Sequence, residues 1–171
     1  PEQTSVYFIA NNPANTWIKT KLEVAAGWNK ISFPTETLPL GIMEFTLCNK
    51  QYEPQVERLV FLNKDRDLKI TVKSDKQSYS PREKVKIEIC TTDKTGKPVP
   101  SNLSVSVADD KILTFADDKQ DNILSGLLMS SFLKGKIEKP NFYFDPNEEK
   151  AEKALDLVML THGWRDRKSV V

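Results

Sequence analysis

One histidine, His162, and two cysteines, Cys48 and Cys90, leave this 171-residue chain short of the side chains most metal and nucleophilic centres use. The two thiols are too few and too far apart for a zinc motif, and no metal or cofactor is expected. No apolar run approaches the roughly 18 residues of a membrane helix, so no transmembrane segment is expected. The first residues, Pro1-Glu2-Gln3-Thr4, carry neither an initiator Met nor a signal-peptide pattern, so the chain reads as an excised or mature fragment. Charge of either sign is not in excess: 25 Lys and Arg meet 24 Asp and Glu, and the net charge of +1 supplies no field to draw nucleic acid or anionic lipid. A glycine-rich phosphate loop and a Gly-x-Ser-x-Gly elbow are both missing, which argues against phosphoryl transfer and an α/β hydrolase.

What is present suits a folded protein. Hydrophobic residues make up 39% and charged residues 29%, enough for one large domain or two sandwich-sized ones without staples. Short strands are expected at Ser5 to Ala10, Trp17 to Val24, Trp28 to Phe33, Ile42 to Leu47 and Val56 to Leu62. Asn11-Asn12-Pro13, Ala26-Gly27 and Asn49 to Pro54 supply the turns between them, which implies antiparallel pairing. The charged stretch Asn63-Lys64-Asp65-Arg66-Asp67 marks a boundary dividing residues 1–65 from 66–171.

Beyond it, Leu68, Ile70 and Val72 alternate with polar residues, as do Val85, Ile87 and Ile89. A hairpin at Asp93 to Pro98 leads to a further strand at Leu103 to Val107. Helical spacing then appears in Ile123, Leu124, Leu127, Leu128 and Phe132, behind a cap at Asp121 or Asn122. A last helix is expected from a cap at Asp145, with Pro146 at its first position and Glu148 as the capping-box carboxylate, to a stop at Gly163. Its stripe is Ala151, Ala154, Leu155, Val158 and Met159, widened by Leu157 and Leu160.

Alternation sets Cys48 opposite the face carrying Met43, Phe45 and Leu47, and Cys90 opposite Val85, Ile87 and Ile89, which places both thiols outside the core. His162 reads as a structural residue at a helix end rather than a base, since no partner can be named; Arg165 and Arg167 suit the same helix-end dipole. Asp109-Asp110 and Asp117-Asp118 read as a solvated loop rather than a calcium site, with Lys111 and Lys119 beside them. Trp17, Trp28 and Trp164 can serve as flat binding platforms, though sandwich tryptophans are more often core. Three adjacent aromatics cannot all face one core from an extended strand, so Phe142, Tyr143 and Phe144 are the candidate interaction surface.

The second half resembles a macroglobulin-type β-sandwich domain of the α2-macroglobulin-like proteins. Asp75 to Val85 is similar to the family's Tyr-x-Pro-Gly-Glu opening, with Arg82 where the family has glycine, and Asp93 to Val99 is similar to its strand-turn-strand element. A bacterial envelope subgroup, with TonB-receptor-plug-like members, is resembled through Leu38 to Ile42, Glu57 to Phe61, Asn122 to Ser125, Leu133 to Pro140 and Leu157 to Arg165. The resemblance implies a mainly β chain of antiparallel immunoglobulin-like (macroglobulin-type) β-sandwiches, with one or two helices inserted near the C-terminus. Residues 1–65 would be the later strands of one domain and 66–171 a second, with the helical insertion.

It also implies export to the periplasm or outer-membrane surface, and a non-catalytic structural and interaction role with neighbouring domains of the same parent as partners. Two further readings follow from it. One is a macroglobulin-like protease inhibitor with a bait segment at Asp109 to Asp121. The other is an accessory domain of a TonB-dependent outer-membrane receptor in uptake. The family's reactive Cys-Gly-Glu-Gln thioester is matched by neither Cys48-Asn49-Lys50-Gln51 nor Cys90-Thr91-Thr92-Asp93, so covalent trapping is not expected of this segment.

Overall fold

The structure, a computed structural model, describes residues 4–109, 111 and 121–162. Apolar alternation and Asx-type turns build its first sheet. Strand β1 (Thr4–Asn11) turns into β2 (Thr16–Val24) where Asn12 Oδ1 accepts hydrogen bonds from Ala14 N at 3.1 Å and Asn15 N at 2.9 Å. Strand β3 (Gly41–Cys48) turns into β4 (Pro54–Leu62) where Asn49 Oδ1 accepts from Gln51 N and Glu53 N, both at 2.9 Å, with Tyr52 in the left-handed region at φ 63°. The four strands form one antiparallel sheet in the order β2-β1-β3-β4. A separate antiparallel pair joins β5 (Lys69–Ser74) to β6 (Ile87–Thr92). The chain is therefore mainly β, with short helices near its C-terminus.

Period-two alternation gives the four-stranded sheet two apolar faces, each covered differently. On one face Ile42, Leu59 and Phe61 meet a helical layer through Met129, Leu133, Leu155, Val158 and Met159. That layer comprises α1 (Ile123–Ser125), a π turn over Gly126–Ser130, a 3₁₀ turn over Pro140–Phe144, and α2 (Ala151–His162). On the other face Ala10, Met43, Phe8, Ile18 and Phe45 are capped by Leu38, from the long connection between β2 and β3. Arg58 of β4 fastens α2 to the sheet edge, its guanidinium donating to both oxygens of Asp156 at 2.8 and 2.9 Å.

Residues 63–67 are tied into the structure on several sides. Asn63 sits in the left-handed region, φ 55° and ψ 35°, and its Nδ2 donates to Leu38 O at 2.8 Å and Thr35 O at 3.0 Å. Arg66 Nη1 donates to Glu36 O at 2.7 Å, Lys64 Nζ to Tyr143 O at 2.5 Å, and Lys94 Nζ to Asp65 Oδ2 at 2.5 Å. One short stretch thus holds the β2–β3 connection, the helical layer and the Asp93–Pro98 turn together.

Several local expectations differ from the structure. Residues 28–33 and 103–107 form no strand. The first is a connection shaped by Asn29, whose Nδ2 donates to Ala25 O at 2.8 Å; the second parts from β6 after Val99. Asp145 caps only an Asx turn, accepting from Asn147 N at 2.9 Å, and α2 begins later, at Ala151. Its stripe Ala151, Leu155, Val158 and Met159 is buried as expected, but Leu157 and Leu160 are exposed, so the helix is covered on one side rather than on most of its surface.

The helix cap of α1 is Asn122: its Oδ1 accepts from Leu124 N and Ser125 N, and its N donates to Ser125 Oγ. The π turn that follows widens the helical repeat, so Met129 and Leu133 are buried while Leu127 and Phe132 face out. Cys48, expected outside the core, is buried at 3% exposure, because the sheet is covered on both faces; Cys90 is exposed, and both are free thiols.

Candidate functional site

The aromatic trio is placed by a 3₁₀ turn rather than a strand. Pro140 opens that turn, Lys139 precedes it at φ 48°, and Phe142, Tyr143 and Phe144 are each half-buried. Phe144 meets Phe61 edge-on at 5.5 Å between ring centroids, and Phe142 meets Tyr143 edge-on at 5.4 Å. Tyr143 and Phe144 pack against the core under α2, and Lys64 Nζ lies 5.7 Å from the Phe144 ring centroid. The trio thus divides between packing under the helical layer and partial exposure. Phe144 also borders a cleft of about 1040 Å³ lined by Leu124, Leu128, Lys64, Asp65, Lys94 and Asp156. Its lysines and acids interleave, with Lys94 paired to Asp65 and Asp156 to Arg58.

A second candidate surface lies across the sheet. Phe8, Ile18, Ile31, Phe33, Phe45 and Leu47 line an apolar groove of about 420 Å³ between the sheet and the β2–β3 connection. Phe33 stacks on Phe8, rings 5° from parallel and 4.3 Å apart, which keeps the connection over one end of the groove. Trp28 stands free at the tip of that connection at 105% exposure, on a turn fixed by Gly27 (φ +98°) and by Asn29, which accepts from Ala25 N and donates to Ala25 O and Gly27 O. Trp17 is also exposed, so neither tryptophan serves the core as sandwich precedent suggested, and Trp164 lies outside the described residues. The signal for Trp28 was legible in Ala26-Gly27-Trp28-Asn29, a turn sequence that aims its aromatic residue away from any strand face.

The third surface is the two-stranded sheet. Its register sets Ile70 opposite Thr91, Val72 opposite Ile89 and Ser74 opposite Ile87, so one face is apolar; Lys69, Lys73, Glu88 and Cys90 occupy the other. The apolar face is open, with Ile70 54% and Val72 61% exposed, and Val85, Ile87, Leu103 and Val105 continue the exposure. Hydrogen bonding at the strand ends explains why the pair holds its shape. Tyr79 Oη donates to Asp75 Oδ1 at 2.6 Å, Lys86 N donates to the same oxygen at 3.1 Å, and these bonds hold the Asp75 carboxyl below the ordinary carboxylate range. Lys76 pairs with Glu83 and lowers it likewise, and Asp93 is lowered by Thr95 across the next turn.

His162 Nδ1 donates to Lys134 O at 3.1 Å, tying the end of α2 to Gly135 and its neighbours, in keeping with a structural place at a helix end. Ser125 is wholly buried, and its Oγ lies 2.6 Å from both Asp121 Oδ1 and Asn141 Oδ1, a polar knot that pins α1 to the 3₁₀ turn. Among the described residues no group of three or more His, Cys, Asp or Glu could hold a metal ion, and no helix is long and apolar enough to cross a membrane. Asp110, Asp117, Asp118, Arg165 and Arg167, with all of the segment between Asp109 and Asp121 except Lys111, lie outside the described residues. Comparison with protein-family models, with curated proteins and with solved structures returned no match.

Proposed function

We propose that this chain is a non-catalytic structural and interaction module of a larger exported envelope protein, its two sheets being parts of macroglobulin-type, immunoglobulin-like β-sandwich domains. The observation that supports this reading is the apolar face of β5 and β6, where Ile70, Val72 and Ile87 are all exposed. A two-stranded ribbon is marginal in water unless its apolar face packs against another layer, so its chemistry asks for a neighbour. Apolar side chains gathered and exposed on one sheet face support a docking role for it. The free Trp28 beside the groove under Phe33 offers a second contact of the same kind, an aromatic anchor on a fixed turn.

The proposed neighbours are domains of the same parent protein, and the proposed location is the periplasm or outer-membrane surface. A photo-reactive amino acid placed at Val72, and separately at Trp28, in the tagged parent within its native envelope tests the reading, with captured material identified by mass spectrometry. Adducts within the parent at Val72 support an interdomain face. A parent cleaved and joined to a protease would replace this reading by an inhibitor role, and a Val72 probe that captures nothing would refute the docking face.

A further inference from the structure

The open edge of β6 has a strand waiting for it. Main-chain groups along β6 alternate between two sides. Asp75 N donates to Lys86 O at 3.1 Å, so even-numbered positions face β5. Val99 N donates to Thr91 O at 3.0 Å and Asp93 N to Lys97 O at 2.9 Å, so odd-numbered positions face away from it. The N–H and C=O groups of Ile87 and Ile89 therefore point to the outer edge. After the Asp93–Lys97 turn the chain begins an antiparallel return along that edge, with Thr92 bridged to Pro98 and Thr91 Oγ1 donating to Val99 O at 2.6 Å. Among the described residues no backbone hydrogen bond carries this pairing beyond Val99.

We infer that Ser101 to Val107 is a latent third strand of the second sheet, which seats on the outer edge of β6 in the register already begun at Thr92 and Pro98. That register sets Ser101 opposite Ile89, Leu103 opposite Ile87 and Val105 opposite Val85. The prolines allow it: Pro98 and Pro100 fall where the missing N–H points away from β6. Opposed residues share a face, so Leu103 and Val105, the latter 62% exposed, join the apolar face of Ile70, Val72 and Ile87. Asn102, Ser104 and Ser106 then lie with Glu88 and Lys86 on the polar face.

A seated strand satisfies both edges' main-chain groups and closes an edge that a foreign strand would otherwise take. The chain's own segment is the occupant because a short turn tethers it and its first bonds are made, so closure costs little further entropy. Its seating does not depend on the identity of any partner.

Cysteine pairs in the full chain, with Cys90→Ser and the buried Cys48 left in place, test the register. Glu88→Cys with Asn102→Cys forms a non-hydrogen-bonded pair within disulfide reach, whereas Glu88→Cys with Ser106→Cys is displaced by about 13 Å along the strand. The first pair is expected to close within one chain at least about tenfold faster than the second. Equal rates, or disulfides formed only between chains, would overturn the inference, the latter by giving the edge to a second copy. Amide exchange supplies an independent readout: the Ile87 and Ile89 N–H groups should be protected in the unaltered chain and lose at least about tenfold protection in Leu103→Pro. Fast exchange of both in the unaltered chain would equally overturn it.

Discussion

Truncating Met159 examines the joint on which the first sheet and the helical layer depend. Met159 is 1% exposed and packs in one cluster with Ile42, Met129, Leu133, Leu155 and Val158, drawn from β3, the π turn and the bend after it, and α2. Met159→Ala removes three heavy atoms, about 2.4 kcal/mol of transfer free energy at ~0.8 kcal/mol per methylene equivalent. The void is enclosed, so a cavity contribution adds to it and the expected cost is about 4 kcal/mol. Leu155→Ala also removes three heavy atoms, but Leu155 borders the cleft lined by Leu124, Leu128 and Phe144, where neighbours can settle into the gap. Its expected cost is about 2.5 kcal/mol, near the lower end for such changes. Urea unfolding followed by circular dichroism measures both. For a slope of about 2 kcal/mol per molar urea the midpoints fall by about 2 M and about 1.2 M. A loss under about 1 kcal/mol for Met159→Ala would show that α2 is not docked on β3 and β4, and a reversed order would refute the closed-against-open distinction.

Asn63→Ala removes the Nδ2 bonds to Leu38 O and Thr35 O and strains a left-handed position, for an expected loss of about 2 kcal/mol; Asn63→Gly keeps the backbone freedom and should lose about half of that. Equal losses in thermal unfolding would mean that φ at this position is not a constraint. Acid should loosen the second sheet before the first. Asp75, Glu83 and Asp93 have depressed folded pKa values, so the stability they add is present above the ordinary carboxylate range and is lost as pH falls through and below about 4. Glu23 on β2 is lowered as well, by Lys21 and by Ser5 of β1, so amide exchange at the β5 and β6 positions that bond to each other is compared across pH with β3 and β4, and preferential loss of those two strands would refute the assignment. A disulfide reagent should modify Cys90 at once, and Cys48, whose pKa burial pushes up with Glu57 adding to the shift, only on unfolding; two rapid thiols would contradict the covered sheet.

The strands of the first sheet were legible because period-two alternation and Asn-centred turns are local signals. Asn12 and Asn49 do in the structure what turn chemistry says they do. What failed depended on partners elsewhere in the chain. Residues 28–33 alternate well enough for a strand, yet Phe33 is recruited to stack on Phe8 and Asn29 folds its own backbone into a turn. Asp145, Pro146 and Glu148 have the order of a helix start, but the preceding 3₁₀ turn, held by Phe144 on Phe61, spends those residues on a bend. Cys48 was misplaced because alternation names the face of a residue without saying whether that face is covered. The aromatic trio lies on a tight turn rather than an extended strand, and that turn lets Tyr143 and Phe144 share one core.

The two sheets differ in how far the chain completes them. The four-stranded sheet is covered largely by its own sequence: Leu38 and Phe33 cover part of one face and leave the apolar groove open, α2 and the π turn cover the other, and Arg58 ties α2 to the sheet edge through Asp156. The two-stranded sheet has its turns fixed by Asp75, Glu83 and Asp93, but among the described residues no layer covers Ile70, Val72 and Ile87. Fixed turns with an uncovered face are what a docking element requires. The ordering entropy is met before contact, so burial of the apolar face contributes to association instead of being consumed in folding the ribbon. On this account, weakening the turns should reduce docking even though Asp75, opposite Lys86, falls on the polar face. Asp75→Ala removes the oxygen that accepts from Tyr79 and Lys86, and should lower capture at Val72 while leaving unfolding of the first sheet unchanged. Undiminished capture would show that the face is ordered by its partner and not by its own turns.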